Sequence, residues 1–148
     1  MTRYRRTQIG WTVIIVMTIG MAIFAAMLPH SGMRIVGAGG LIVIVAGLAV
    51  FSTLTIEVTD KEFRFHFTFG LFGRKIPLAA IAECVEVKNP VLYGYGIHVT
   101  PAGTLYNVSG SKAVELRLRG GDRLRVGSDE PERVCAAVEP LLAKPGSG

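Results

Sequence analysis

The sequence predicts an α+β membrane protein: a two-helix transmembrane hairpin, then an antiparallel β-barrel or sandwich capped by a C-terminal helix. Three observations predict it. Residues 9–28 and 35–54 are apolar runs without Asp, Glu, Lys, Arg or His. From Thr55 onward, short alternating segments are divided by turn residues at spacings of roughly 8–12 residues, as in antiparallel β units. Near the end, Val134, Val138, Leu141 and Leu142 fall at i, i+4, i+7 and i+8, an apolar stripe on one helix face.

Each apolar run is 20 residues long. As a helix it would rise about 30 Å, the hydrocarbon thickness of a bilayer. Helices are expected because lipid offers the backbone no hydrogen-bond partners. The connection, residues 29–34, is short enough to force antiparallel neighbours. Ala22 with Ala26, and Gly40 with Gly47, mark a candidate helix–helix seam where small residues let backbones approach. Tyr4 and Trp11 lie where amphipathic rings settle at a membrane interface. Arg3, Arg5 and Arg6 precede the first run with no acid among them, so the N-terminus is expected inside. Two crossings return the chain to that side, which places both termini and the domain in the cytoplasm, at the inner membrane. The alternative is a signal peptide, but the run is longer than a usual signal core and AAMLPHSG is only a passable cleavage site. No linker follows the second run, so residues 55–142 are expected to sit against the membrane surface.

The net charge of +5 resembles a nucleic-acid signal until its position is considered. The excess sits at Arg3, Arg5, Arg6 and Arg34, whereas residues 55–148 hold 12 Lys and Arg against 11 acids. The basic balance therefore reads as membrane topology, and no nucleic-acid partner is expected. Cys84 and Cys135 form no CxxC, and His30, His66 and His98 lack zinc-site spacing, so no metal or cofactor is expected. The two cysteines read as thiols in a reducing compartment, with a disulfide arising only if the domain faces outward. Asn107-Val108-Ser109 matches a glycosylation acceptor, which also needs translocation. There is no GxSxG, HExxH or Walker loop, so no enzyme and no small-molecule substrate are expected.

Within the domain, residues 55–59 alternate as a strand, and EFRFHFTF at 62–69 puts Phe63, Phe65, Phe67 and Phe69 on one core face. Residues 70–73 turn, and 74–77 start the next strand. Residues 81–88 form another, stopped by Asn89-Pro90. Strands at 97–100 and 105–108 flank a turn, and 113–119 with 123–127 make the last hairpin. If its apolar residues all face the core, Leu118 opposes Leu124 across a loop of Gly120, Gly121 and Asp122. Arg117 then faces Arg125 and Arg119 faces Arg123. Like charges in opposition are destabilising, so these four arginines form a candidate patch for an anionic partner unless Glu115, Asp122 or nearby acids neutralise them. Tyr93-Gly94-Tyr95-Gly96 is a candidate contact loop, or else tucks its rings over the barrel edge. The final helix is expected to use Asp129 as N-cap with Glu132 three residues later and Pro131 in its first turn. Pro140 should kink or stop it, leaving 143–148 as a flexible tail.

The stretches FGLFGRKIPLAAI, YGYGIHV and YNVSGSKAVELRLRGGDRLRVGSDEPERV resemble bacterial pleckstrin-homology-like (PH-like) domains, and the two preceding spans are similar to membrane-anchored members of that class. The resemblance covers residues 55–142 and implies a binding or scaffold module for a membrane protein partner or a second copy, without cofactor. Eukaryotic relatives bind phosphoinositides through a basic loop after the first strand. Asp60-Lys61-Glu62 stands there in this chain, so that property does not carry over. Two alternatives remain at this point: recognition of anionic lipid head groups through Arg117, Arg119, Arg123 and Arg125, and an accessory subunit of a transporter or envelope enzyme with the spans as its interface.

Overall fold

The chain, in a computed structural model, is described for residues 1–30, 32 and 34–142. The expected tail at 143–148 and part of the inter-helix connection lie outside the described residues. The fold is mixed α+β with two N-terminal helices and two separate sheets; among the described residues no strand pairing closes them into a barrel.

The first correction concerns the N-terminus. The arginine-rich tail is a strand, β1 (Thr2–Ile9), paired antiparallel with β2 (Thr53–Thr59) from Thr2↔Thr59 to Ile9↔Thr53. The helices α1 (Trp11–Met27) and α2 (Arg34–Phe51) are therefore an excursion within a β-hairpin, and the folded domain starts at Thr2, not at residue 55. The pairing is driven by side-chain matches that a tail reading cannot weigh. Arg3 reaches Asp60, Thr7 meets Thr55 hydroxyl to hydroxyl at 2.8 Å, and Gln8 donates to the Gly127 carbonyl at 2.7 Å. Tyr4 accordingly sits half-buried beside the core, with its hydroxyl 3.4 Å from Glu130. Burial, then the charges of Glu130 and Asp129, pushes its pKa up to about 12.

Because β1 takes the start of the first apolar run and β2 the end of the second, the helices are shorter than 20 residues. α2 has 18 and is long and apolar enough to cross a membrane, with a mean hydropathy of 2.2, whereas α1 has 17. Their seam is asymmetric. A Cβ on Gly40 would lie 2.9 Å from the Phe24 ring and one on Gly47 3.2 Å from the Met17 methyl, while Gly37 receives Leu28. Gly40 and Gly47 thus sit in the seam, but Ala22 and Ala26 face outward. Large side chains of α1 fill hollows over the glycines of α2, so small residues are needed on one helix only.

The first sheet continues through β3 (Glu62–Phe67) to β4 (Arg74–Pro77) in the order β1-β2-β3-β4. The second holds β5 (Ile81–Lys88), β6 (Gly96–Thr100), β7 (Gly103–Asn107), β8 (Lys112–Leu118) and β9 (Arg123–Gly127), in the order β5-β8-β9-β7-β6. One pair departs from the antiparallel expectation: β7 and β9 run parallel, since the β8–β9 hairpin folds back into the place beside β7. Phe63, Phe65 and Phe67 are fully buried, with Phe65 4.6 Å from Tyr106 of the facing sheet, as period-2 alternation predicts. Phe69 is not. The strand ends at Phe67, and Phe69 turns outward at φ 60°.

The last helix, α3 (Pro131–Val138), lays Val134 and Val138 across the core, with Leu141 and Leu142 packed against it. Its N-cap is Glu130 with no side-chain cap, because Asp129 is engaged by Arg6 at 2.8 Å. Helical geometry loosens to a single 3-10 turn at Glu139–Leu141, where Pro140 removes the helical N–H. Cys135 of α3 is joined to Cys84 of β5, with their Cα atoms 5.5 Å apart, correcting the expectation of unpaired thiols. The spacing of the two elements puts these cysteines within bridging range although 51 residues separate them in sequence.

Candidate interaction surfaces

The arginine hairpin has a different register from the one sequence suggests. Leu116, not Leu118, opposes Leu124, and the loop runs over residues 119–122 with Gly121 at φ 96°. A shift of two residues keeps every side chain on its expected face but changes its partner. Arg125 now opposes Glu115, and Arg117 opposes Arg123.

Glu115 is the centre of a buried charge network. It is 1% exposed and accepts from Arg125 Nε at 2.8 Å and from Arg117 Nε at 3.0 Å. Arg117 also donates to Glu83 at 2.7 Å, and Arg125 to Asn89 Oδ1 at 2.9 Å. Burial pushes the Glu115 carboxyl up, but the hydrogen bonds and charges of Arg125 and Arg117 outweigh it and hold its pKa below the ordinary glutamate value. Two of the four arginines are therefore structural. Arg123 and Arg119 remain at the exposed tip, Arg119 with a contact of its own.

The tip is also remote from the helices. Lys112, at the start of β8, shares a groove with Trp11, the first residue of α1. From Lys112 the strand runs to Leu118, a rise of about 20 Å at 3.3 Å per residue, so the arginine turn lies at the opposite end of the domain.

The helix end of the domain carries the exposed apolar side chains. Gly10 and Ser52 close the β1–β2 pairing at 2.7 Å, and the helices leave from there with one residue between strand and helix on each side. On one flank, the β3–β4 connection projects Phe69, 80% exposed, and Phe72, 59% exposed. Phe72 stacks on Phe51, the last residue of α2, with centroids 6.0 Å apart, and Thr68 is hydrogen-bonded to Ser52 and Thr53 at 2.9–3.1 Å. On the other flank, the β5–β6 connection projects Val91 and Leu92. Tyr95 of the same connection, with Gly96 and Ile97 of β6, lines an apolar groove of about 410 Å³ against Val13, Val16, Met17 and Phe51. Tyr93, Gly94, Tyr95 and Gly96 are half-buried, and Gly94 and Gly96 take positive φ to make the turn. The tyrosine loop thus lies beside the helix base. Asn107 is 2% exposed and bonded to Gly110 and Ser109, which removes it as a glycosylation acceptor in the folded chain.

Among the described residues no group of three or more His, Cys, Asp or Glu could hold a metal ion. Comparison with family models, with curated proteins and with solved structures finds no match to this chain.

Proposed function

We propose that this chain is a membrane-anchored, non-enzymatic interaction module. In this reading α1 and α2 cross the inner membrane as a hairpin, and the PH-like domain acts in the cytoplasm as a scaffold for a membrane protein partner or a second copy. One observation carries it: two apolar, almost wholly unburied helices rise from adjacent paired strands without a linker. A soluble fold has no use for such a surface, since apolar patches of this extent mark membrane or protein contact.

Charge supports the cytoplasmic side. Arg3, Arg5, Arg6, Lys61 and Arg64 lie within about 15–20 residues of the helix ends on the domain side, against Arg34 alone at the far end. The Cys84–Cys135 bridge is the observation against that side, because a reducing cytoplasm disfavours disulfides. Head-group recognition by the arginine hairpin is the weaker reading, because its tip points away from the helices and Glu115 engages Arg117 and Arg125. The accessory-subunit reading draws on Ala22 and Ala26, whose outward position leaves a small-residue face for another helix.

Cross-linking in intact cells with a membrane-permeant reagent, followed by mass spectrometry, tests the proposal. Adducts from the domain to a membrane protein or a second copy are expected, and adducts confined to α1 and α2 would favour the accessory subunit. Recovery of the chain without adducts, or labelling of a Val99→Cys variant, exposed at 88%, by an impermeant thiol reagent in sealed cells, would contradict the proposal.

A further inference from the structure

The two exposed apolar connections at the helix end have no role in the core, and one of them is held in an unfavourable backbone. Phe69 and Phe72 have φ of 60° and 50°, the left-handed region that bulky side chains avoid. They are the only non-glycine residues with positive φ among the described residues. Glycine would satisfy the turn without strain, and Gly70, between them, does so at φ 72°. Strain of this kind is kept where the projected side chain has a task. Here it aims two rings outward beside the root of α2.

Helix length gives the second argument. At 1.5 Å per residue α1 rises about 25 Å and α2 about 27 Å, both short of a hydrocarbon core of about 30 Å. If the hairpin is to span, its root must lie in the interfacial layer, and whatever flanks the root lies there too. The β5–β6 connection goes further: the groove it forms with Met17 is six residues, or about 9 Å, beyond the start of α1. Val91 and Leu92, 79% and 97% exposed, belong to this connection.

We infer that the Phe69–Phe72 and Val91–Leu92 connections are a pair of membrane wedges, inserting into the interfacial layer of the bilayer that the hairpin crosses. Lipid is the occupant because the patch is continuous with the helices: Phe72 stacks on Phe51, and Tyr95 and Ile97 line a groove against α1. The domain is then seated at three points, the hairpin and a loop on each flank, which fixes its tilt and turns the arginine tip outward. The inference rests on α1 and α2 being spans.

The test uses the full-length chain with Trp11→Phe, reconstituted into phosphatidylcholine vesicles with or without lipid brominated near the carbonyl end of one acyl chain. Tryptophan is introduced singly as Phe69→Trp, Phe72→Trp, Leu92→Trp or Val99→Trp. Val99 is 88% exposed and lines a cleft with the arginine turn, so it serves as the remote control. Blue-shifted emission and loss of fluorescence in brominated vesicles are expected at 69, 72 and 92 and not at 99. Leu92 stands free of the strained turn, so its readout survives if the Phe variants fold badly. Unquenched tryptophan at all three positions, in chain that an alkaline wash leaves in the vesicles, would overturn the wedge and point to a protein contact. Release of the chain by that wash would overturn the spans, and the wedge with them.

Discussion

Replacing Glu115 with alanine is expected to cost about 3–5 kcal/mol of folding stability, the usual result of stranding a buried charge. The charge left behind is Arg125, whose side chain is 14% exposed and whose Nε has Glu115 as its carboxylate partner. Arg117 suffers less because Glu83 still pairs with it at 2.7 Å. Urea unfolding of the detergent-solubilised chain measures the effect as a fall in midpoint at constant slope. A change within about 0.5 kcal/mol, the range of ordinary surface substitutions, would refute the network. Acid adds an independent check. A carboxyl whose pKa is lowered by folding contributes stability that is complete above the unfolded value, about 4.3 for glutamate, and is lost as pH falls toward the lowered one. Glu115→Gln should therefore flatten the loss of stability below about pH 4.3.

Gly10→Ala is expected to destabilise the domain by about 1–3 kcal/mol, the range for overpacking a filled site. A Cβ at Gly10 would lie 2.9 Å from the Val108 Cβ, 3.0 Å from the Val108 carbonyl oxygen and 3.1 Å from that of Phe51. Two of these are backbone atoms, and no rotamer change relieves them. The backbone φ is an ordinary −78°, so the demand for glycine is one of space. This joint is where the strand becomes a helix, and a shift there would tilt the hairpin against the Phe51 stack. Gly20→Ala, within α1, is the control, since a Cβ there meets nothing within 4 Å. Equal melting temperatures for the two variants would show that the joint has slack.

Much of the domain is legible in the sequence because each strand carries its own period. The Phe63, Phe65, Phe67 face, the stop at Pro140 and the stripe of Val134 and Val138 depend on neighbours a few residues away. What escapes depends on distant partners. Nothing local in TRYRRTQI says strand; the segment becomes one because Thr53–Thr59, some 50 residues later, offers it an edge. The hairpin register could be read for facing but not for pairing, since slips of two residues are equal in hydrophobic pattern and are separated by Glu115 meeting Arg125. Phe69 continues the period-2 series perfectly and still leaves the core, because the backbone turns at Thr68 toward Ser52. The seam needed both helices: Phe24 and Met17 explain Gly40 and Gly47 only once α1 faces α2. Cys84 and Cys135 likewise meet only when α3 packs on β5.

The account stands on the hairpin being a membrane anchor rooted in the sheet. The direct measurement is fractionation of cells making the full-length chain, or a chain in which residues 11–51 are replaced by Asn-Gly. That dipeptide suits the tight turn that Gly10 and Ser52, paired at 2.7 Å, would then close. The account predicts that the full-length chain stays in the membrane pellet through an alkaline carbonate wash and that the replaced chain is soluble and folded. A full-length chain that is monodisperse in the soluble fraction without detergent would contradict it.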